Sequence, residues 1–538
     1  MKQLSISLLL VICFSVAQAQ TGTCNCTYTI TKTGVYDGAL LKIGPGATVC
    51  IKGGVYQYLR LNNFTGAPGR PITFINCDGL VDFSSDKTTQ SGLNVQGSRY
   101  FRITGTGNSR FRYGIKVSRT GTDATALNIL AKSSDCEVDH VEIAGAGFAG
   151  IMAKTDPKAC DPSTFRGNFI MYNVKIHDNY VHDVKGEGFY IGHSNWGNGV
   201  YVVCNGVKTT EYPHEIVGLE IYNNLTERTG CEGIQYSCAP GAQVHHNTIR
   251  YAGVSPFGAN QNNGIQIGGG TSGGFYNNII QNSQGDGISM IGHRGPNYIY
   301  NNLITNSGIN GMYIDNRTGS LSGVDVVVAN NTIVTTADGG IRFYNENNTN
   351  YAANNVIVGV TLNKTITVTN NTFPLLKENN YTSASVADAR FVNVAGGNYR
   401  PVNGSPLIDR GRNVSNWGIT FDLDNQPRPN GAQYDIGAYE YGTGSSGGRI
   451  AADVAETSER VLVRAYPSPA SERVTIRLSN GEAITEVAIM DAAGRLLRRV
   501  PALHSPEVDV PLGEWADGLY LLQVKTAHQT HAGRFLKE

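Results

Sequence analysis

Between residues 176 and 358 the chain repeats itself, and a short internal period leaves few folds open. Residues 176–193 (IHDNYVHDVKGEGFYIGH) are followed by related segments at 219–237 (LEIYNNLTERTGCEGIQYS), 275–293 (FYNNIIQNSQGDGISMIGH), 299–317 (IYNNLITNSGINGMYIDNR) and 328–346 (VANNTIVTTADGGIRFYNE). Residues 244–253 and 262–270 make up a further, split copy. Each copy has an asparagine before an apolar pair, a polar bend, then glycine, apolar, any residue, apolar. The marker asparagines are Asn179, Asn224, Asn247, Asn278, Asn302, Asn331 and Asn355, spaced 45, 23, 31, 24, 29 and 24 residues apart. The basic period is therefore 23 to 24 residues, with insertions. Leucine-rich repeats have a similar period but need a leucine ladder, which is missing. Strands of two to five residues with alternating apolar positions can point one set of side chains inward. Asparagine and glycine accept the tight bends between them, and stacked asparagines can hydrogen-bond along the axis. These features predict an all-β chain wound as a right-handed parallel β-helix, a solenoid that rolls its sheet around its own core.

A solenoid grows by addition, which accommodates 538 residues without an oversized compact core. Abundant glycine (65) and sparse charge (16%) fit a turn-rich β structure. With 43 basic and 43 acidic side chains there is no electrostatic footprint for nucleic acid. Lys2, the apolar run 4–16 and Ala17-Gln18-Ala19 read as a signal peptide over 1–19, with the mature chain starting at Gln20. No later apolar run approaches about 18 residues, so no membrane span is expected.

Beyond the regular repeats, residues 101–105 and 136–143 read as two more strands. Residues 49–56 and 66–74 (VCIKGGVY, GAPGRPITF) resemble the opening segment of secreted β-helix proteins, the pectate-lyase-like superfamily, which includes polysaccharide lyases and uronan-modifying enzymes. Residues 405–411, 424–429 and 435–441 (SPLIDRG, DNQPRP, DIGAYEY) resemble the closing segment of such proteins. A cap is needed there, because the last coil would otherwise expose a sheet edge and an apolar core. The β-helix is thus expected over 20–441 and a Gly/Ser/Ala-rich linker over 442–458. Residues 459–538 carry Tyr466-Pro467-Ser468-Pro469-Ala470, the alternating strand 474–478, the turn Ala493-Gly494-Arg495 and the terminal Arg534-Phe535-Leu536-Lys537. They are identified as a C-terminal sorting domain of the type IX secretion system of Bacteroidota. The resemblance implies a small β-sandwich, handling by that machinery as a partner, and a place outside the cell or on its surface.

After loss of Cys13 with the signal, nine cysteines remain, all in the first half of the mature chain. An oxidising destination permits disulfides, and the odd number leaves at least one thiol over. Cys160 with Cys204 and Cys231 with Cys238 are the expected pairs. A zinc site is not suggested, since no CxxC pair accompanies spaced histidines.

The residues just before each Gly-apolar pair form a column: Glu187, Glu232, Asn263, Asp286 and Asn310. Stacked about 4.8 Å apart, Glu187 and Glu232 would repel unless a cation or donors intervene. Glu187, Glu232, Asn263 and Asp286 are therefore the candidate metal ligands, with Ca2+ the candidate ion. The plainer alternative is a solvated row of turn acids. The next outward column holds Tyr190, Gln235, Gln266, Ser289, Tyr313 and Arg342, a polar and aromatic face suited to an extended glycan. The 45-residue spacing inserts a loop over 194–216 that carries Trp196, Tyr201, Lys208, Tyr212 and His214 and could wall a site. His193 and His293 occupy matching places in YIGH and MIGH, and Arg294 follows the second.

Removing the proton beside a uronate carboxylate takes a charge neutraliser, a base and an acid. The expected catalytic residues are His193, His293, Arg294, Tyr190 and Tyr313. Gln235, Gln266, Arg342, Trp196, Tyr212, His214 and Lys208 are expected to bind substrate. The leading expectation is a lyase acting on an extracellular acidic polysaccharide. The alternatives are a non-catalytic glycan-binding or adhesin-like surface protein, and a glycoside hydrolase or uronan epimerase. Calcium-dependent alginate and chondroitin lyases share the expected fold, but their Lys/Arg motif is not recognisable. The NTD and GHG elements of polygalacturonases are absent. Tyr212-Pro213-His214-Glu215 is similar to the Asp-Pro-His motif of mannuronan epimerases, with Tyr in place of Asp.

Overall fold

In the computed structural model, the described residues are 24–442 apart from 318 and 370–374, and 463–537 apart from 467–469, 479–481, 492–494, 514 and 527–529. The expected signal peptide, and all of the expected linker except Gly442, lie outside them. The described chain forms two units, divided between Ser446 and Gly447.

The first unit is a right-handed parallel β-helix. Each coil lays down three short strands, and strands of successive coils pair in parallel to form three sheets. The first sheet runs from Tyr28–Ile30 to Leu375–Glu378 and the second ends at Tyr381–Ser383; long strands Thr48–Tyr56 and Ile72–Ser84 join these two near the start. The third has twelve strands, from Gly34–Asp37 to Ile366–Val368. Register follows the period-2 pattern. In the first sheet Ile176, Ile221, Val244, Phe275, Ile299 and Val328 pair in succession and are all buried. Their apolar side chains supply the main driving force for winding the chain.

The marker asparagines form the expected ladder at the corner between the first and second sheets. Each Nδ2 donates to the Oδ1 of the next asparagine, from Asn179 through Asn224, Asn247, Asn278, Asn302, Asn331 and Asn355 to Asn380, at 2.9–3.0 Å. Each Nδ2 also bonds to a main-chain carbonyl, so the amides satisfy backbone groups that the bend leaves unpaired. The left-handed residue is the one before the ladder asparagine: Asp178, Asn223, His246, Asn277, Asn301, Asn330 and Asn354, all with φ of 53–56°. A glycine column runs into the third sheet for a different reason, close approach. A Cβ on Gly188, Gly264, Gly287 or Gly311 would lie 2.4–2.8 Å from a carbonyl oxygen of the next coil.

The closing segment does more than cover an end. The corner residues Asn277, Asn301, Asn330 and Asn354, from four successive coils, donate to the main-chain oxygens of Asp422, Phe421, Asp435 and Arg412. Residues 407–439 thus strap the flank of the helix and pack Leu407, Leu423, Ile436 and Tyr439 over Leu303, Val334 and Val356. Arg428 locks this strap: it is buried, paired with Glu440, and bonded to Asn301 Oδ1 (3.1 Å) and Gly437 O (2.7 Å).

Three disulfides form: Cys24–Cys77, Cys26–Cys50 and Cys160–Cys204. The expected Cys231–Cys238 pair does not. Both are buried free thiols, as is Cys136, and the Cys238 thiol instead donates to His193 O.

The second unit has a three-stranded and a four-stranded antiparallel sheet. Val474, Ile476 and Val510 of one meet Val487, Ile489, Leu522 and Phe535 of the other in one core, a β-sandwich.

Candidate functional site

The third sheet carries the outward row. Pairing runs from Met152 to Tyr190, Gln235, Gln266, Ser289, Tyr313, Arg342 and Thr367; the strand neighbours pack in the core, only partly at Ile366 and Val368, and within the row Gln235 and Ser289 are themselves buried. The row spans six coils from Tyr190 to Arg342, about 24 Å at the usual strand spacing.

At its upstream end Lys154 follows the strand Ile151–Ala153. Its Nζ lies 4.9 Å from the centroid of the Tyr190 ring and 2.8 Å from Asp156. Lys154 is only 9% exposed, whereas the Asp156 side chain is 58% exposed. The Tyr190 hydroxyl and the Gln235 amide each bond to Ser194 Oγ at 3.0 Å, and Gln266 donates to Gln235 at 3.2 Å. Phe148 stands edge-on to Tyr190, and the exposed Phe257 stacks on Phe148 at 5.9 Å.

His193 joins this end, with Nε2 3.6 Å from Asp156. Burial and the neighbouring Lys154 charge depress its pKa to about 4, so the ring is neutral near pH 7. Its Nδ1 accepts the Asn195 N–H (3.0 Å), which puts the ring proton on Nε2. In that tautomer His193 donates toward the site and offers it no free basic nitrogen. His214 is buried; it accepts the Thr155 N–H and bonds to Glu215 O, so it fixes the main chain beside Lys154 and does not meet a substrate.

His293 and Arg294 are not brought to this end. Ile191 pairs through Tyr236 and Ile267 to Met290, so His193 lies two residues past the aligned position and His293 three. A one-residue slip turns a side chain to the other face. His293 is fully buried and bonded to Asn348. Arg294 pairs with Glu215 and lies over Trp196. The MIGH and YIGH matches are therefore not equivalent.

The inserted loop folds as a hairpin, Val200–Cys204 against Val207–Glu211, with Cys204 bound to Cys160. Trp196 is 3% exposed beneath Arg166, which also reaches Tyr212 at 5.0 Å. The expectation that Trp196 offers a ring to substrate is corrected: both its environment and its burial serve the loop. Lys208 lies over Tyr201 on the exposed hairpin.

At the downstream end an open groove of about 240 Å³ is lined by Asn310, Asp338, Arg342, Tyr344, Lys364 and Thr367. Arg342 bonds to Tyr344 (2.6 Å) and Asp338. Tyr313 packs on Tyr344, and burial together with Asp315 pushes its phenol up to about 12. Tyr313 and Tyr190, both expected to be catalytic, therefore belong to different ends of the row.

The acidic column is not solvated, which overturns the plainer alternative. Glu187, Glu232, Asn263, Asp286 and Asn310 are all buried. Asp286 accepts from the Asn310 amide and main chain, and its own N–H donates to Asn263. Glu187 and Glu232 each have an oxygen without a partner. Burial, and then the Glu187 charge, raise Glu232 to about 8. The four expected metal ligands span three coil steps, about 14 Å, too far for one ion. The pair that does meet is joined by the Cys231 thiol. A soft donor with two carboxylates does not fit Ca2+, which takes six to eight oxygens.

Sequence reasoning missed Lys154, Asp156, Phe148 and Phe257. Gly150-Ile151-Met152-Ala153 has the Gly-apolar-x-apolar form of the repeat, and following it would have exposed Lys154.

The fold defines a β-helix protein, and its C-terminal unit marks it for export. Residues 464–538 match the secretion system C-terminal sorting domain, and the chain is exported by the type IX system of Bacteroidota to the medium or the outer cell surface. Among the described residues no helix is long and apolar enough to cross a membrane. No curated protein matches the chain. Among solved structures, a pectate lyase is similar at 14% identity and a TM-score of 0.39, over 78% of this chain and 98% of its own. A PL6 family polysaccharide lyase from Pseudopedobacter saltans is similar at 12% identity and a TM-score of 0.34, over 66% of this chain and 92% of its own. The A-module of a mannuronan C-5 epimerase from Azotobacter vinelandii is similar at 12% identity and a TM-score of 0.29, over 63% and 91%.

Proposed function

We propose that this protein acts on an acidic polysaccharide laid along the third sheet and cleaves it by β-elimination at Lys154 and Tyr190. One observation carries the reading: a nearly buried ammonium is held over an outward tyrosine on a row of polar side chains. A uronate carboxylate can replace exposed Asp156 as the partner of Lys154. Pairing with that cation spreads the negative charge that develops when the proton on C5 leaves. The C5–H electron pair becomes the C4=C5 double bond, the C4–O4 bond breaks, and O4 takes a proton. Tyr190, hydrogen-bonded to Ser194, works as the base once its phenolic proton has left to solvent: the phenolate accepts the C5 proton and returns it to O4. Gln266 meets sugar hydroxyls farther along, while Gln235, expected to bind substrate, is buried and instead holds Ser194 and Gln266 in place.

The hydrolase reading loses support because the Glu187–Glu232 carboxyls are buried. The epimerase reading loses it because His214 has both ring nitrogens engaged in main-chain contacts. The binding reading keeps the same row without turnover.

The test is a panel of acidic and neutral glycans, read together for unsaturated uronate absorbance, reducing ends and retardation in affinity gels. Unsaturated product from one acidic polymer is expected, falling about 100-fold or more in Lys154→Ala and in Tyr190→Phe. If both variants keep full turnover, the assigned site is wrong. Retardation without product on any polymer would establish the binding reading.

A further inference from the structure

The Glu187–Glu232 pair sits where the column otherwise holds residues that bond to one another. Asn263 and Asn310 each donate through Nδ2 to an acidic neighbour, Glu232 (3.3 Å) and Asp286 (2.8 Å). Glutamate has no such donor. In two successive coils the column therefore stacks acceptor against acceptor, and the Oε2 atoms of Glu187 and Glu232 have no partner although the residues are 4% and 0% exposed. Two orphaned buried carboxylate oxygens need a proton or a cation. The third group at the same point is the free thiol of Cys231, fully buried, with its sulfur and one oxygen of each carboxylate all within 4.8 Å of one another.

We propose that Glu187, Glu232 and Cys231 form a buried site for a borderline divalent ion of the Zn2+ class. Thiolate plus carboxylate suits zinc, whose fourth tetrahedral position here falls to a water, and it does not suit Ca2+. Binding makes two metal–oxygen bonds and one metal–sulfur bond. The thiol proton, and any proton shared by the carboxyls, leave to solvent. The ion would tie two coils together just before the strands that present Tyr190 and Gln235. The site is independent of the β-elimination reading and stands if that fails.

The test uses the purified full chain, stripped with a chelator and titrated with Co2+ as a spectroscopic substitute for Zn2+. The expected result is one Co2+ per chain, a thiolate-to-cobalt charge-transfer band, and displacement of that band by Zn2+ but not by Ca2+. Cys231→Ser should lose the band. Cys136→Ser and Cys238→Ser, which alter the other two buried thiols, should keep it. Glu232→Gln should shift Zn2+ competition to higher concentration. A wild-type chain that gives no such band, or a band that survives in Cys231→Ser, would overturn the site and leave a shared proton between the carboxyls. Folding of each variant is followed by far-ultraviolet circular dichroism; if Cys231→Ser does not fold, Cys231→Ala, which introduces no buried hydroxyl, replaces it.

Discussion

A single imidazole on the outside of the first sheet shows how far the surroundings decide a residue's chemistry. His177 stacks on Tyr222 at 4.5 Å; its Nδ1 faces Asp178 (2.7 Å) and its Nε2 faces Glu137 (3.2 Å). Asp139 and Arg102 of the adjoining strands complete the cluster. Burial alone would lower the pKa, but the hydrogen bonds to Asp178 and Glu137 outweigh it and raise it to about 9. A raised folded-state pKa gives stability that is full below the unfolded value, about 6.5, and is lost as pH climbs through 9. Urea midpoints should therefore fall between pH 6.5 and 9 in the wild type. In His177→Gln that fall should be smaller, and equal falls would remove His177 as its source. The depressed His193 has the opposite sign: its contribution is full above about 6.5 and is lost as pH falls toward 4. Strand alternation made the outward row from Tyr190 to Arg342 legible in the sequence. Side-chain burial was not: Trp196, His214 and His293 read as polar or aromatic site residues and are each consumed by packing. Lys154 went unseen because its coil lacks the marker asparagine.

The ladder asparagines are where sequence and fold agree most closely, because a fixed corner geometry recurs and the short asparagine amide both donates and accepts along the axis. Asn302 illustrates the energetics. Its Oδ1 accepts from the Asn278 amide and main chain, and its Nδ2 donates to Asn331 (2.9 Å) and to Phe275 O (3.1 Å). Asn302→Ala would orphan these buried groups, and a loss of about 2–4 kcal/mol is expected, read from urea unfolding. A change below about 0.5 kcal/mol would mean that water or neighbours satisfy the corner. The strap could not be foreseen in this form. The sequence motifs announced a closing segment, but only the contacts of Asn277, Asn301, Asn330 and Asn354 show that it runs along the flank. Arg428→Ala leaves Glu440 as an uncompensated buried charge. It should cost about 3–5 kcal/mol and loosen the coils under the strap first, which hydrogen exchange at the strands 299–353 would detect.

At the scale of the whole molecule, two cores divide the labour. Each coil of the β-helix contacts mainly its neighbours, so its stability adds up along the axis and owes nothing to an external template. The C-terminal sandwich closes its own core from Val474, Ile476, Val487, Leu522 and Phe535. Residues within 447–538 therefore serve as an address that can be removed without unravelling the rest. A chain ending at residue 446 is expected to keep the far-ultraviolet spectrum and thermal transition of the β-helix, yet to be retained inside the cell when produced in its host. The full chain should reach the medium or the outer surface, as fractionation with antibody detection would show. A truncated chain that still appears outside would separate export from residues 464–538. A truncated chain that loses the β-helix transition would mean that the sandwich also guards the fold, and the two units would then have to be read as one.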